Sequence, residues 1–510
     1  MIRIPSFLRA PATVRIHRDE AVLSSATGQI AVTAPWFGDL ASLINGVRPT
    51  HELVALAPDF EARLQIMDTL IRLEAEGILV DAAPGELDPA ALGSNVPEAG
   101  DDARLLRQAN PVTGLVPYVR RRDSGADFLH VVWAPSIMPA ASEPRQGDDA
   151  RVVVGTGITE AEAITSCVGE AVERFSLSFH GTEKRVHGLA GELDSAAVKP
   201  SELLLISERQ YREREQSNRD WGGEVWLPEP PDDDGPLDWT PVWSLISGCR
   251  RYLPAAWCFM RYPSVRREMF GGDSNGCAAG RTLEKAMVSA FCELVERDAL
   301  AIWWYNRIPR PGLDLFAAGG EVARHLHERL RTEGRTLHLL DLTTDLNVPV
   351  VAAISARADG SGVAFGFGSN LRTGPAARRA LLEMQQVLGA IESAEKSPLL
   401  RRWSAEIDLR NEPWLAPAAH QTSTTVDVVS DAGNDLAVCV EIIRRRGMDF
   451  LVANCTRPSI KVPAVRVVVP GLRPASPRFA PGRLYDVPCR LGWRDQPLTE
   501  EQMNPFPFFL

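Results

Sequence analysis

The strongest constraint in this chain of 510 residues is an internal repeat. Residues 157–174 read "GITEAEAITSCVGEAVER" and residues 280–297 read "GRTLEKAMVSAFCELVER". Gly157/Gly280, Thr159/Thr282, Ala163/Ala286, Ser166/Ser289, Glu170/Glu293, Glu173/Glu296 and Arg174/Arg297 fall at identical offsets. Each copy predicts a loop, a Thr N-cap and an amphipathic helix, and Thr159 with Glu162 adds a capping-box signature. The two glutamates of each copy are three apart, so their carboxylates share one helix face. Like charges at that spacing repel, and something positive has to sit beside or between them.

Two such helices brought together offer four carboxylates. Glutamate oxygens without His or Cys suit a hard divalent cation, Mg2+ above all, and Mg2+ keeps positions open for substrate phosphates. A nucleotide is then the natural third party, with Arg174 and Arg297 meeting its phosphates. The other reading is a pair of packed helices whose Glu and Arg side chains make surface ion pairs. "GGDSNGCAAGRT" (271–282) places small residues and Asn275 directly ahead of the second helix, where backbone can approach a ligand. "RRALLEMQQV" (378–387) gathers Arg379, Glu383 and Gln386 on overlapping helix faces. Gly155 and Gly157 do not make a dinucleotide fingerprint and no Walker P-loop occurs, so ATP would need another scaffold.

The rest of the chain narrows the class. Its length allows two or three domains. A net charge of −11 argues against nucleic acid as the main ligand. Eight scattered cysteines without a C-x-x-C pair fit free thiols in a reducing compartment and no structural zinc site. Neither a signal peptide nor a membrane-length apolar run is found, so a cytoplasmic location is expected. Short alternating stretches over 12–36, helical periodicity and a closing "ILVD" predict a small winged-helix domain within 1–85. A linker follows at 86–103. Residues 104–510 interleave strand runs such as "ARVVVGTG" and "VPVVAAIS" with helices, which predicts an α+β chain with a large mixed domain. "LPEPPDDDGPLD" (228–239) reads as a loop. The chain closes on "NPFPFFL", an apolar tail expected to be buried.

With "SCVGEAVER", "SNGCAAGRTLEKAMVSAFCELVERD", "LLDLTTDLNVPV" and "RRALLEMQQ" in view, the chain resembles the YcaO family. Within it, it looks like the azoline-forming cyclodehydratases of ribosomal peptide maturation. The resemblance implies ATP bound without a P-loop and Mg2+ held by Glu170, Glu173, Glu293 and Glu296. It also implies nucleotide contacts from Ser166, Arg174, Asn275, Arg297 and Gln386. The implied reaction is ATP-dependent closure of Cys, Ser or Thr onto the preceding amide of a precursor peptide. Thioamide or amidine formation, or a non-catalytic leader-binding scaffold, are the alternatives. Residues 12–80 resemble the winged-helix unit that recognises the leader peptide. Implied partners are that precursor peptide, a separately encoded partner protein, a flavin dehydrogenase and a second copy of the chain; neither nucleic acid nor membrane is among them. Thr156 departs from the Lys that many relatives carry in a G-K-G. Phe509 stands where relatives place a third proline, and the terminal Leu510 carboxylate is expected at the active site.

Overall fold

Period decides the N-terminal unit. The computed structural model describes residues 5–7, 13–17, 20–24, 29–33, 36–44, 50–75, 78–81, 87, 105–106, 108–109, 115–122, 128–139, 152–193, 196–221, 225–263, 274–392, 397–418, 427–428 and 434–508. Strands Thr13–His17, Glu20–Ser24 and Gln29–Thr33 form an antiparallel meander. Pro5–Phe7 pairs with Leu79–Asp81. Between these strands lie helices Phe37–Leu43, Thr50–Ala55 and Phe60–Ala75. The Asp59 carboxylate accepts from the Ala62 amide (2.8 Å) and starts the last helix. Ile66, Leu70 and Leu73 recur at helical spacing and pack with Phe37, Leu40 and Leu53 in a core of their own. The opposite stripe, Phe60, Leu64, Met67 and Ile71, is exposed.

The remainder is built on three sheets. Arg120–Arg122, His130–Pro135 and Val152–Gly157 form the first. The second runs Cys249–Pro254, Leu237–Ser244, Leu451–Asn454, Ala464–Val468, Cys277–Ala279, with Val186–Gly188 paired to the start of Leu237–Ser244. The third runs Gly312–Leu313, Arg335–Asp341, Val350–Arg357, Ala364–Ser369. Ladders between these strands are antiparallel, in keeping with the α+β expectation. The expected loop at 228–239 is corrected at its end, because Leu237–Trp239 already belong to a strand. That end pairs with Val186–Gly188, some fifty residues earlier, which local composition cannot register.

One strand from each sheet feeds a glutamate helix. Val152–Gly157 leads into Glu160–Leu177, Cys277–Ala279 into Leu283–Asn306, and Ala364–Ser369 into Thr373–Glu392. They are called here the first, second and third carboxylate helices. The predicted N-caps are present: Thr159 and Thr282 each accept from the third backbone amide beyond, at 3.2 Å. Glycine permits the strand–helix approach. A Cβ on Gly155 would lie 2.0 Å from the Ala163 carbonyl oxygen, and one on Gly368 would lie 2.1 Å from that of Ala376.

The tail is anchored where its aromatic spacing meets other rings. The Asn504 amide donates to the Tyr305 carbonyl (2.8 Å), and the Trp304 indole donates to the Phe506 carbonyl (2.7 Å). Phe506 and Phe508 are buried, with Phe508 against Trp304, Phe365 and Phe367. Phe509 and Leu510 lie outside the described residues.

Gly155→Ala is expected to lower stability by about 1–3 kcal/mol, because its backbone neighbour cannot yield. Gly169→Ala, in mid-helix with nothing within 4 Å of the new methyl, is expected to raise it by about 0.5–1 kcal/mol. Thermal melting of the two variants checks this, and shifts of the same sign would count against the tight strand–helix contact.

Candidate functional site

The three carboxylate helices converge on a cleft of about 1220 Å3. Glu170, Glu173 and Ser166 reach it from the first helix, and Glu293 and Ser289 from the second. Arg378, Arg379, Glu383 and Gln386 reach it from the third. The third helix repeats the geometry of the first. The Val154 amide donates to Glu170 (2.9 Å) and the Phe367 amide donates to Glu383, each across sixteen residues. Gly155 and Gly368 touch their helices at matching positions, eight and twelve residues on. The cleft is thus built from two E-x-x-E helices and one E-x-x-Q helix, Glu383 and Gln386 supplying the last.

Arginines tie the carboxylates in place. Glu170 pairs with Arg174 (2.5 Å), Glu293 with Arg297 (3.6 Å), and Glu296 with Arg297 (2.8 Å). Two contacts cross the cleft to the third helix, one from the first helix and one from the strand before it. Arg378 meets Glu162 at 2.6 Å, and the Gln386 amide donates to the Thr156 hydroxyl.

The comparisons with known proteins bear on this site. Residues 154–473, which span all three helices, match the family described as YcaO cyclodehydratase, ATP- and Mg2+-binding. The chain belongs to the YcaO family. Among solved structures it is similar to a heterocyclase in complex with substrate and cofactor, at 32% identity and a TM-score of 0.75. That match covers 98% of this chain and 66% of the other, so the chain spans just under two thirds of that protein's length. It is similar in fold to the heterocyclase TruD, at 24% identity and a TM-score of 0.62 over 100% of both chains. A YcaO protein from Methanopyrus kandleri, bound with AMPPCP and Mg2+, matches at 22% identity and a TM-score of 0.51. That match covers 70% of this chain and 86% of that one.

In this YcaO chain the described residues expected at the site divide into three groups, Leu510 lying outside them. Ser166, Glu170, Glu173, Arg174, Glu293 and Gln386 line the cleft together. Glu296 lies beneath it, 1% exposed, beside Arg297. Asn275 and Arg297 line a separate, smaller cavity with Arg466 and Arg473. Sequence reasoning gathered Arg379 and Glu383 with Gln386 on one helix but gave only Gln386 a role, and it left out Ser289 and Arg378 as site residues. Ser289 was available from the repeat, as the counterpart of Ser166. Glu383 carried a fainter signal, standing fifteen residues after Gly368 as Glu170 stands fifteen after Gly155.

The donor set fits a hard cation. Glu170, Glu173 and Glu293 are all-oxygen and mutually repulsive, and they face open volume in which phosphate oxygens or water could complete a shell. Among the described residues no three His, Cys, Asp or Glu groups stand close enough together to hold a metal ion by themselves, so phosphate oxygens or water would have to complete the set. Burial pushes the Glu173 carboxyl up to about 8, helped by the charges of Glu293 and Glu170. Burial and Glu296 likewise push Glu383 up. Glu296 and Glu293 raise the Arg379 guanidinium despite its own burial.

A carboxyl whose folded pKa lies above its ordinary 4.5 binds its proton more tightly in the native state. The stability it contributes is complete below that ordinary value and is lost as pH rises through about 8. Without divalent cations, the melting temperature of this YcaO chain should therefore fall between about pH 5 and pH 8. Glu173→Gln should flatten that slope, and Mg2+ should oppose it at the alkaline end. Melting curves across the range, with and without EDTA, check the prediction; an unchanged slope in the variant would remove Glu173 from the crowded site.

Proposed function

We propose that the chain is an ATP- and Mg2+-dependent peptide cyclodehydratase that makes thiazoline or oxazoline in a ribosomal precursor peptide. The observation that carries this is the crowding of Glu170, Glu173 and Glu293 in one open cleft that Arg378 and Arg379 also line. Glu170, Glu173 and Glu293 would hold the cation. Mg2+, when bound, neutralises these carboxylates and the phosphate oxygens of ATP. The Val154 amide and Arg174 fix the Glu170 carboxylate, so it is oriented before any ligand arrives. Arg378 and Arg379 bring positive charge to the same cleft, Arg379 beside Glu293 and Glu383 and Arg378 beside Glu162. In the reaction, a Cys, Ser or Thr side chain adds to the preceding amide carbon. The carbonyl oxygen takes the terminal phosphoryl group and leaves as phosphate, with the side-chain and amide protons released. The peptide loses one water per ring.

Residues 1–85 are proposed as a winged-helix leader-recognition domain, joined through 86–103 to the cyclodehydratase domain at 104–510. A leader strand added to the small sheet would have the exposed Phe60, Leu64, Met67 and Ile71 as an apolar surface within the same unit. The test is to incubate the full chain with Mg2+, ATP and a Cys-bearing peptide, and follow phosphate release and peptide mass. Glu293→Gln should abolish both signals while the protein stays folded. Removing residues 1–85 should weaken peptide binding far more than ATP binding. Normal ATP turnover in Glu293→Gln would refute the carboxylate assignment.

The tail is proposed to carry the Leu510 carboxylate to the cleft. Pro505 and Pro507 keep the segment extended, and Phe508 already touches Phe367, whose amide Glu383 holds. A few residues added after Leu510 should remove cyclisation with little change in melting temperature. Full activity in the extended protein would refute it.

A further inference from the structure

The first carboxylate helix, Glu160–Leu177, ends in a buried stretch, and the last carbonyls of a helix have no partner within it. Three side chains meet them. The His180 Nε2 stands 2.8 Å from the Phe175 carbonyl. The Ser178 hydroxyl donates to the Arg174 carbonyl (2.6 Å). Arg457 donates from Nε to the Ser176 carbonyl and from Nη2 to the Ser178 carbonyl, both at 2.9 Å. A cation at this end also suits the helix dipole. Glu183 keeps the arginine's charge from being buried alone. Its carboxylate lies 2.7 Å from Arg457 and accepts from the His180 and Gly181 amides, at 2.8 and 2.9 Å. The Arg457 and Glu183 side chains are 1% and 0% exposed.

Arg457 stands on the turn between the strands Leu451–Asn454 and Ala464–Val468. That turn holds the second carboxylate helix as well. The Gly280 amide donates to the Pro463 carbonyl (2.9 Å), and Ala279 pairs with Ala464, just ahead of the Thr282 cap. Ile460 and Val462, from the same turn, are buried with Val168, Val172 and Phe175 of the first helix. One short turn thus touches the end of one E-x-x-E helix and the start of the other. Glu173 lies a single helical turn before Ser176, so a displacement of the capped end is carried to the carboxylates. Stability alone gives little reason for the buried pair, because an apolar replacement does as well or better.

We propose that Arg457 is a positioning residue for the cleft. Held by Glu183, it fixes the first carboxylate helix against the turn that starts the second, and so sets Glu170 and Glu173 relative to Glu293 for binding a divalent cation. The inference rests on the reading of the cleft as a cation site and is independent of the peptide chemistry.

The test uses the full chain and Mn2+, which prefers oxygen ligands in octahedral geometry as Mg2+ does, and whose free form is read by electron paramagnetic resonance. Titrations are run without nucleotide, at a temperature where circular dichroism shows each variant folded. Arg457→Lys keeps the charge but cannot span both carbonyls and Glu183. It should raise the Mn2+ dissociation constant about tenfold, the cost typical of losing a residue that holds a metal ligand in place. Glu183→Gln combined with Arg457→Met removes both charges at once. That double variant should stay folded near the parent's melting temperature and still bind Mn2+ as weakly as Arg457→Lys. Arg335→Lys is the control, since Arg335 is also buried and also donates to carbonyls, those of Ser355 and Gly362 in the third sheet. It should lose stability and keep the parent's affinity. Parent affinity in Arg457→Lys or in the double variant, or an equal weakening in Arg335→Lys, would overturn the proposal. A parent without saturable Mn2+ binding would remove the cation reading of the cleft itself, and the inference with it.

Discussion

Mutual repulsion among Glu170, Glu173 and Glu293 is the constraint around which the large domain is arranged. Nothing in folding alone favours gathering these charges, and burial, helped by the charges of Glu293 and Glu170, pushes the Glu173 carboxyl up. The helices that carry them have to be gripped elsewhere. The grip is supplied by glycines that let strand and helix backbones touch, at Gly155 and again at Gly368. Apolar burial on the far faces of the same helices, Val168, Val172, Phe291 and Val295 among others, outweighs the electrostatic cost. A site built in this way is rigid before its ligands arrive, which is where electrostatic catalysis is most effective.

How far the sequence reveals this depends on how much each copy retains. The first two copies share eight residues at fixed offsets, Val172/Val295 among them, so their glutamates, caps and pairing could be read directly. The third keeps the glycine and the first glutamate but replaces the second by Gln386 and drops the Thr cap and the trailing Arg. Its kinship rests on backbone contacts, and contacts leave no mark on composition. Placement of Asn275 and Arg297 is lost for a similar reason. Whether Arg297 faces the cleft or the neighbouring cavity depends on Arg466 and Arg473, more than 150 residues away in the chain. The strand at Leu237–Ser244 was half hidden because an acidic, Pro-rich stretch runs straight into it. The α+β class, by contrast, needed only local period, and it was legible.

The C-terminal segments act as a clamp on the second carboxylate helix. Trp303, Trp304 and Tyr305 lie at its end, and the tail docks there through Asn504, Phe506 and Phe508. A charged network reinforces it. Asp345, 3% exposed, meets Arg483 and Arg490 at 2.8 Å and Arg446 at 3.5 Å. Buried ion pairs of this kind give little net stability against an apolar replacement, but breaking one partner leaves a costly unpaired charge. They specify where the segments sit more than how tightly they hold.

That specification returns to the opening motif, "ELVERD", at residues 293–298. Each residue of a helix is rotated by about 100° from the last, so Glu296 and Arg297 flank Glu293 on either side of one face and Asp298 turns to the opposite side. Glu293 faces the cleft, and Glu296 turns beneath it towards Arg379 and Glu383. Arg297 lines the arginine cavity, and Asp298 grips Arg483 at 2.6 Å. Fewer than two helical turns therefore serve the carboxylate cleft, the third helix, the arginine cavity and the C-terminal clamp. A shift of this helix by a single residue would misplace all four at once. Anchoring at both ends, by Thr282 and by the aromatic tail, is what fixes its register.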